Sequence, residues 1–220
     1  MIKLRLWKYL AIVATACAGF GGVASASSFS YGGAFVTDDQ TQELLFTLSG
    51  TATVTAVTYS YAGGTNQALV SIPEGGLDPY LAIFDSTGTL QATNDDGTCG
   101  QVGTDSDTGA CFDSYISQSL GPGVYTLVLS QSGNSPAGGN LSNGYTSTGQ
   151  PNFTAIDGCS NGIFCDINGD NRTGNWAVDI DNVTSSSLPG GGATAPEPAT
   201  FLLLGGGFAG IVMLRRRFGV

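Results

Sequence analysis

Between residues 27 and 195 this chain carries apolar residues at strand spacing, in short runs cut by turn residues, and no apolar stripe at helical spacing. That pattern excludes helical bundles and points to many short strands. Trp176, Val178 and Ile180 share one face, while Ala177, Asp179 and Asp181 share the other, the alternation of a half-buried strand. Leu44, Phe46 and Leu48 alternate in the same way with Leu45 and Thr47. Residues 51–61, rich in Thr, Val and Tyr, predict one long strand. Residues 80–84 are apolar without a break, as expected of a strand buried on both faces. Asp85-Ser86-Thr87-Gly88 then makes a turn, with a return strand over 89–93. Two further strands, 115–120 and 124–130, flank Gly121-Pro122-Gly123. With 34 glycines and about eight short strands, the expected class is all-β, an antiparallel β-sandwich. Residues 132–150, dominated by Gly, Asn and Ser, read as irregular loop, and 185–195 as a flexible linker. No internal repeat is visible.

Two apolar segments flank this region. The first follows Lys3, Arg5 and Lys8, runs over 9–20, and is succeeded by Ala24-Ser25-Ala26. A positive start, a short apolar stretch and small residues at the cleavage subsites predict a signal peptide over 1–26, with Ala24 and Ala26 read by signal peptidase. Two alternatives stand beside it. A permanent anchor would need about 20 apolar residues. A lipoprotein would be processed at Cys17, but Ala14 sits where its recognition motif usually has Leu.

At the other end come Pro196-Glu197-Pro198, an uncharged stretch over 201–214, and Arg215-Arg216-Arg217. This order resembles the PEP-CTERM sorting signal. The resemblance implies a tail over 196–220 whose hydrophobic helix is held by its arginines on the cytoplasmic side. It also implies exosortase, a membrane enzyme, as the partner that removes the tail, much as a GPI signal is removed. Fourteen residues of helix span about 21 Å, short of a hydrocarbon core of ~30 Å, which suits a transient anchor. A plain C-terminal anchor is the alternative.

The intervening 169 residues contain one cation, Arg172, against sixteen acidic residues, a net charge of −15. Such a field repels nucleic acid, which is excluded as a partner. The chain has no histidine, and this region has no lysine. Ser-His-Asp catalysis, Schiff-base chemistry and the usual nitrogen ligand of zinc are therefore excluded, leaving carboxylate chemistry and oxygen-ligated metals. Four cysteines, Cys99, Cys111, Cys159 and Cys165, read as disulfides in an exported chain. Three pairings are open. Closure entropy favours the local ones, Cys99–Cys111 and Cys159–Cys165, at roughly 2.4–3 kcal/mol each.

Residues 42–130 resemble the bacterial pre-peptidase C-terminal domain, a small jelly-roll-like β-sandwich of secreted proteins. The resemblance rests on Asp78-Pro79-Tyr80-Leu81-Ala82-Ile83-Phe84-Asp85, Gly88-Thr89-Leu90, Asn94-Asp95-Asp96-Gly97, Asp113-Ser114-Tyr115-Ile116 and 120–128. It implies the order strand, turn, strand, acidic loop, strand, glycine turn, strand. By its length the region 27–195 is one domain, read as a sandwich over 27–184 around that 42–130 core, between an N-terminal signal helix and a C-terminal sorting helix. No activity comes with the resemblance.

The acidic loop holds Asp95, Asp96, Asp105, Asp107 and Asp113, a candidate calcium set because calcium takes six to eight hard oxygens. The plain alternative is that these residues solvate the loop and cap its turns. Asp166, Asn168 and Asp170 begin like an EF-hand loop, but Ala177 stands where the bidentate acid belongs, so an Asx turn is the favoured reading. Arg172 is expected to pair with an aspartate. Trp176, Tyr59, Tyr61, Tyr80, Tyr115 and Tyr145 are candidates for stacking on sugars, though at strand spacing core packing is favoured. No two carboxylates are singled out as a glycosidase pair. The expected function is therefore that of a non-enzymatic, exosortase-sorted protein of the cell surface or matrix. It would have a structural or interaction role in an exopolysaccharide or biofilm setting. A calcium-dependent carbohydrate-binding module is the alternative.

Overall fold

The structure, a computed structural model, describes residues 26–190. Residues 1–25 of the signal segment, the sorting tail and residues 191–195 of the expected linker lie outside them. In chain order the strands are β1 (Ser27–Ala34), β2 (Thr41–Leu48), β3 (Ala52–Thr58), β4 (Gly64–Thr65), β5 (Ser71–Ile72) and β6 (Pro79–Asp85). They continue with β7 (Leu90–Asn94), β8 (Tyr115–Leu120), β9 (Gly123–Gln131), β10 (Asn175–Val183) and β11 (Ser185–Ser187). Two antiparallel sheets result, ordered β1-β10-β3-β8 and β11-β2-β9-β6-β7, with β4 and β5 as a separate small ribbon. The only helical turns among the described residues are 3-10 turns at Leu141–Asn143 and Phe153–Asp157.

The sheets meet through their apolar faces, giving a β-sandwich-like core. Val54, Ala56, Ile116, Trp176, Val178 and Ile180 of the first sheet pack with Leu44, Phe46, Leu81, Ile83, Leu127 and Leu129 of the second. Alternation decides which residues these are, because successive side chains on a strand point to opposite faces. Phe46 and Tyr125, register partners on β2 and β9, stack at 5.3 Å.

Outside the core, long connections cover strand faces that would otherwise be wet. Ala82 and Phe84 of β6 point outward with Val128, beneath Tyr145 of the 132–150 loop. That loop is therefore ordered. Thr89 bridges to Asn140 and Pro136 to Tyr145, and the continuous apolar run of β6 is buried on both sides. The polar face of β10 is covered too, contrary to the half-buried strand its alternation predicts. Asp179 is fully buried, accepting from Ser30 Oγ at 2.5 Å and from Gln67 N at 2.8 Å. Here the segment after β3 folds back over the sheet.

Two further expectations change. The single strand over 51–61 stops at Thr58, where the chain leaves the sheet. Strands β8 and β9 form as expected on either side of Gly121-Pro122, and they lie in different sheets. The linker read as starting at 185 starts later, because Ser185–Ser187 pairs along Leu45–Thr47 of β2. At one crossing the backbones touch: a Cβ on Gly76 would fall on the carbonyl oxygens of Ser60 and Asn175.

Candidate functional site: the disulfide-pinned acidic loops

The chemistry-bearing residues collect where the chain leaves β3, where β6 begins, and in the loops before β8 and β10. Both local disulfides form, Cys99–Cys111 with its Cα atoms 5.2 Å apart and Cys159–Cys165 at 5.3 Å. The first packs through Cys111 against Val57 and Val102, flanked by Tyr59 and Tyr115. The second lies beside Phe164, whose ring reaches the core.

Arg172 joins the two loops. Its side chain is 5% exposed, and its guanidinium forks onto Asp105, Nη1 to Oδ2 at 2.9 Å and Nη2 to Oδ1 at 3.3 Å. Its Cζ lies 3.6 Å from the centroid of the Tyr61 ring, and its Nε 3.6 Å from Asp166 Oδ2. Tyr61 in turn donates its hydroxyl to Asp166 Oδ2 at 2.5 Å and packs its ring 5.0 Å from that of Phe112. Burial works against the Asp105 charge, but the hydrogen bonds of Arg172 and of Thr108 outweigh it and hold that carboxyl at about 2. Burial and the bond to Asp166 raise Tyr61 above the ordinary tyrosine range. The expected pairing of Arg172 with an aspartate thus takes the form of a buried node between loops.

The five aspartates of the acidic loop do not share one site. Asp105 belongs to Arg172. Asp113 is fully buried and turns back to the chain after β3, accepting from Thr58 Oγ1 (2.7 Å), Ser60 N (2.6 Å), Tyr61 N (3.2 Å) and Ala62 N (2.9 Å). Burial pushes its pKa up and these four donors oppose the rise. Asp107 is exposed. Asp95 and Asp96 are exposed neighbours whose charges act on a sixth carboxyl, Asp78. Among the described residues no three acidic or cysteine side chains close into a metal cage. The EF-hand-like segment is an Asx turn: Asp166 Oδ1 accepts from the backbone of Asn168 and Asp170, both at 2.9 Å. Its other oxygen is committed to Tyr61.

Of the aromatic candidates, Tyr61, Tyr145 and Trp176 are buried, while Tyr59, Tyr80 and Tyr115 are half-buried. A half-open, largely apolar groove of about 230 Å³ lies between Gly33, Ile72, Pro73 and Trp176. Besides Asp179, sequence reasoning missed two buried carboxyls. Asp38 caps the 3-10 turn at Phe153–Asp157, accepting from Asn152 N, Phe153 N, Thr154 N and Thr154 Oγ1 at 2.6–3.2 Å. Nothing in the sequence around it signals this, because its donors are 114–116 residues away. Asp78 was visible only as the first residue of the strand motif.

The described residues thus hold a braced β-structure whose buried carboxylates, Asp78 apart, are taken up internally. What directs the chain lies in its tail. Residues 194–217 match the PEP-CTERM protein-sorting motif. That match takes in Pro196, Glu197, Pro198 and all three terminal arginines. It implies export, membrane-associated sorting and processing by exosortase. No curated protein matches the chain.

Proposed function

We propose that this is a non-catalytic structural or interaction protein of the outer surface or extracellular matrix, delivered there by exosortase and working in an exopolysaccharide setting. The sorting-motif match at 194–217 carries the reading. The two disulfides support it, since such bonds persist in oxidising compartments outside the cytoplasm. A non-catalytic role is supported by the state of the acids: Asp38, Asp105, Asp113 and Asp179 are occupied by backbone, hydroxyl or guanidinium donors rather than facing one another across a cleft. The middle, read as one domain of the pre-peptidase C-terminal type, agrees with this in its order of β6, turn, β7, acidic loop, β8, turn and β9. The carbohydrate-binding alternative gains no comparable support, because Tyr61, Tyr145 and Trp176 are packed into the protein.

The test is expression of the full chain, tagged after Val220, in a bacterium with and without its exosortase. The tag should be lost and the remainder should reach the surface only when the enzyme is present, and Glu197→Ala should retain the tag. An intact tail on surface-located protein in the exosortase-positive host would overturn the sorting reading.

A further inference from the structure

Asp78 buries a carboxylate oxygen that has no partner. It is 6% exposed, and its Oδ1 has no hydrogen-bond partner. Every other buried aspartate described above collects donors. The charges acting most strongly on Asp78 are those of Asp96 and Asp95, followed by Asp166 and Asp113, all of its own sign. An isolated carboxylate in such a place is unfavourable by several kcal/mol unless it is neutralised.

The donors nearby are spent elsewhere: Asn94 Nδ2 donates to the Asp96 carbonyl at 3.1 Å and Ser132 N to the Asp78 carbonyl at 2.7 Å. Ser114 Oγ lies 2.7 Å from the carbonyl oxygen of Pro79, 2.9 Å from that of Asn94 and 2.5 Å from that of Asp95. One hydroxyl has one proton, so at least two of these carbonyls receive nothing from it. Across the sheet Gln131, in register with Pro79, buries an Oε1 that also lacks a partner. Ser114 thus ties the start of β6, next to Asp78, to the 94–95 turn, where the exposed Asp95 and Asp96 stand, and this gathering of oxygen acceptors is the composition that suits a hard cation.

We propose that the start of β6 and the first turn after β7 bind one calcium ion, through the carboxylates of Asp78 and Asp96. Carbonyl oxygens of the 94–96 turn and water complete the six to eight oxygens that calcium takes. Only two side-chain carboxylates are required, which is consistent with the absence of a three-acid cage. Asp105, Asp107 and Asp113 take no part. Magnesium fits less well, because it demands octahedral geometry and loses water reluctantly. This inference is independent of the sorting reading: it concerns what the domain holds, not where the chain is sent.

Calorimetric titration of the full-length protein in mild detergent with calcium chloride tests it, with thermal melting as a second readout. One calcium per chain should bind, and the melting temperature should rise roughly 5–10 °C at a hundredfold excess over the dissociation constant. Asp78→Asn and Asp96→Asn should each weaken binding at least tenfold, while Asp107→Asn should bind as the wild type does. In chelator Asp78→Asn should be at least as stable as the wild type, since it removes an unpaired charge, so loss of fold is not expected to obscure its result. No calcium binding by the wild type, or an equal shift with magnesium, would overturn the proposal and leave Asp78 as a buried neutral acid. Unchanged calcium affinity in Asp78→Asn would overturn it as well.

Discussion

Replacing Arg172 with methionine would keep most of the side chain's length and remove its charge. Two buried carboxyls would then face each other's loops without a counter-ion, because Asp105 loses both guanidinium bonds and Asp166 loses its charge partner at 3.6 Å. Removing one member of a buried pair destabilises by about 3–5 kcal/mol, most of it the penalty of the charge left behind. The lost stack on Tyr61 is worth up to ~2 kcal/mol where desolvated and is not simply additive. Against a total stability of about 5–15 kcal/mol this is a large fraction. Urea denaturation with the disulfides intact should show a lowered midpoint at an unchanged slope. Adding Asp105→Asn to the methionine variant should restore part of the loss, since the amide needs no counter-charge.

The pH dependence supplies a sharper check. In the wild type Asp105 is held at about 2, below the 3.8 of an unperturbed aspartate. A depressed folded pKa contributes stability above the unfolded value, and that contribution fades as pH falls from about 3.8 towards 2. Without Arg172, burial is the dominant influence on Asp105 and raises its pKa, so acidification relieves the variant. The difference between wild type and Arg172→Met should therefore be largest near neutrality and shrink below pH ~4. A difference under about 1 kcal/mol at neutral pH, or one that stayed constant down to pH 3, would refute the node as an electrostatic brace.

Two shorter predictions accompany it. Changing Cys99 and Cys111 together to serine should lower stability by roughly 2–3 kcal/mol, read as a drop in urea midpoint, and non-reducing peptide mapping of the parent should never link Cys99 to Cys159 or Cys165. Gly76→Ala should destabilise by roughly 1–3 kcal/mol in thermal melts despite the small change, because the new methyl meets the carbonyls of Ser60 and Asn175.

The strands were legible wherever one face decides their burial. Trp176, Val178 and Ile180 of β10 and Leu44, Phe46 and Leu48 of β2 line the core as their alternation says. What covers the other face was not legible, because a polar residue does not announce its partner. Asp179 reads as solvated, yet Ser30 and Gln67, far away in the chain, supply its donors. The same limit hid the sheet change at Gly121-Pro122. A glycine-rich turn says that the chain reverses, and only side-chain packing says that β8 pairs with β3 while β9 pairs with β2 and β6.

For the acidic loops the charge count set the problem and long-range geometry solved it. With one cation in residues 27–195, carboxylates can be buried only where backbone amides or hydroxyls take the place of cations. The turn-rich, glycine-rich sequence supplies such groups in number, and Asp38, Asp113 and Asp179 each occupy a set of them. Asp105 takes the single arginine, 67 residues away. In sequence all these aspartates look alike, because the distinguishing feature is how many N–H groups the folded chain aims at each. Counted that way Asp78 differs from the other buried acids: its Oδ1 receives no donor, a lack it shares among the described aspartates with Oδ1 of the half-exposed Asp181. A fold that satisfies its other buried acids from within leaves this one to be satisfied from outside, by a proton or by a cation. A proton on Asp78 serves one acceptor at a time, whereas a cation engages the carboxylate and several carbonyl oxygens at once.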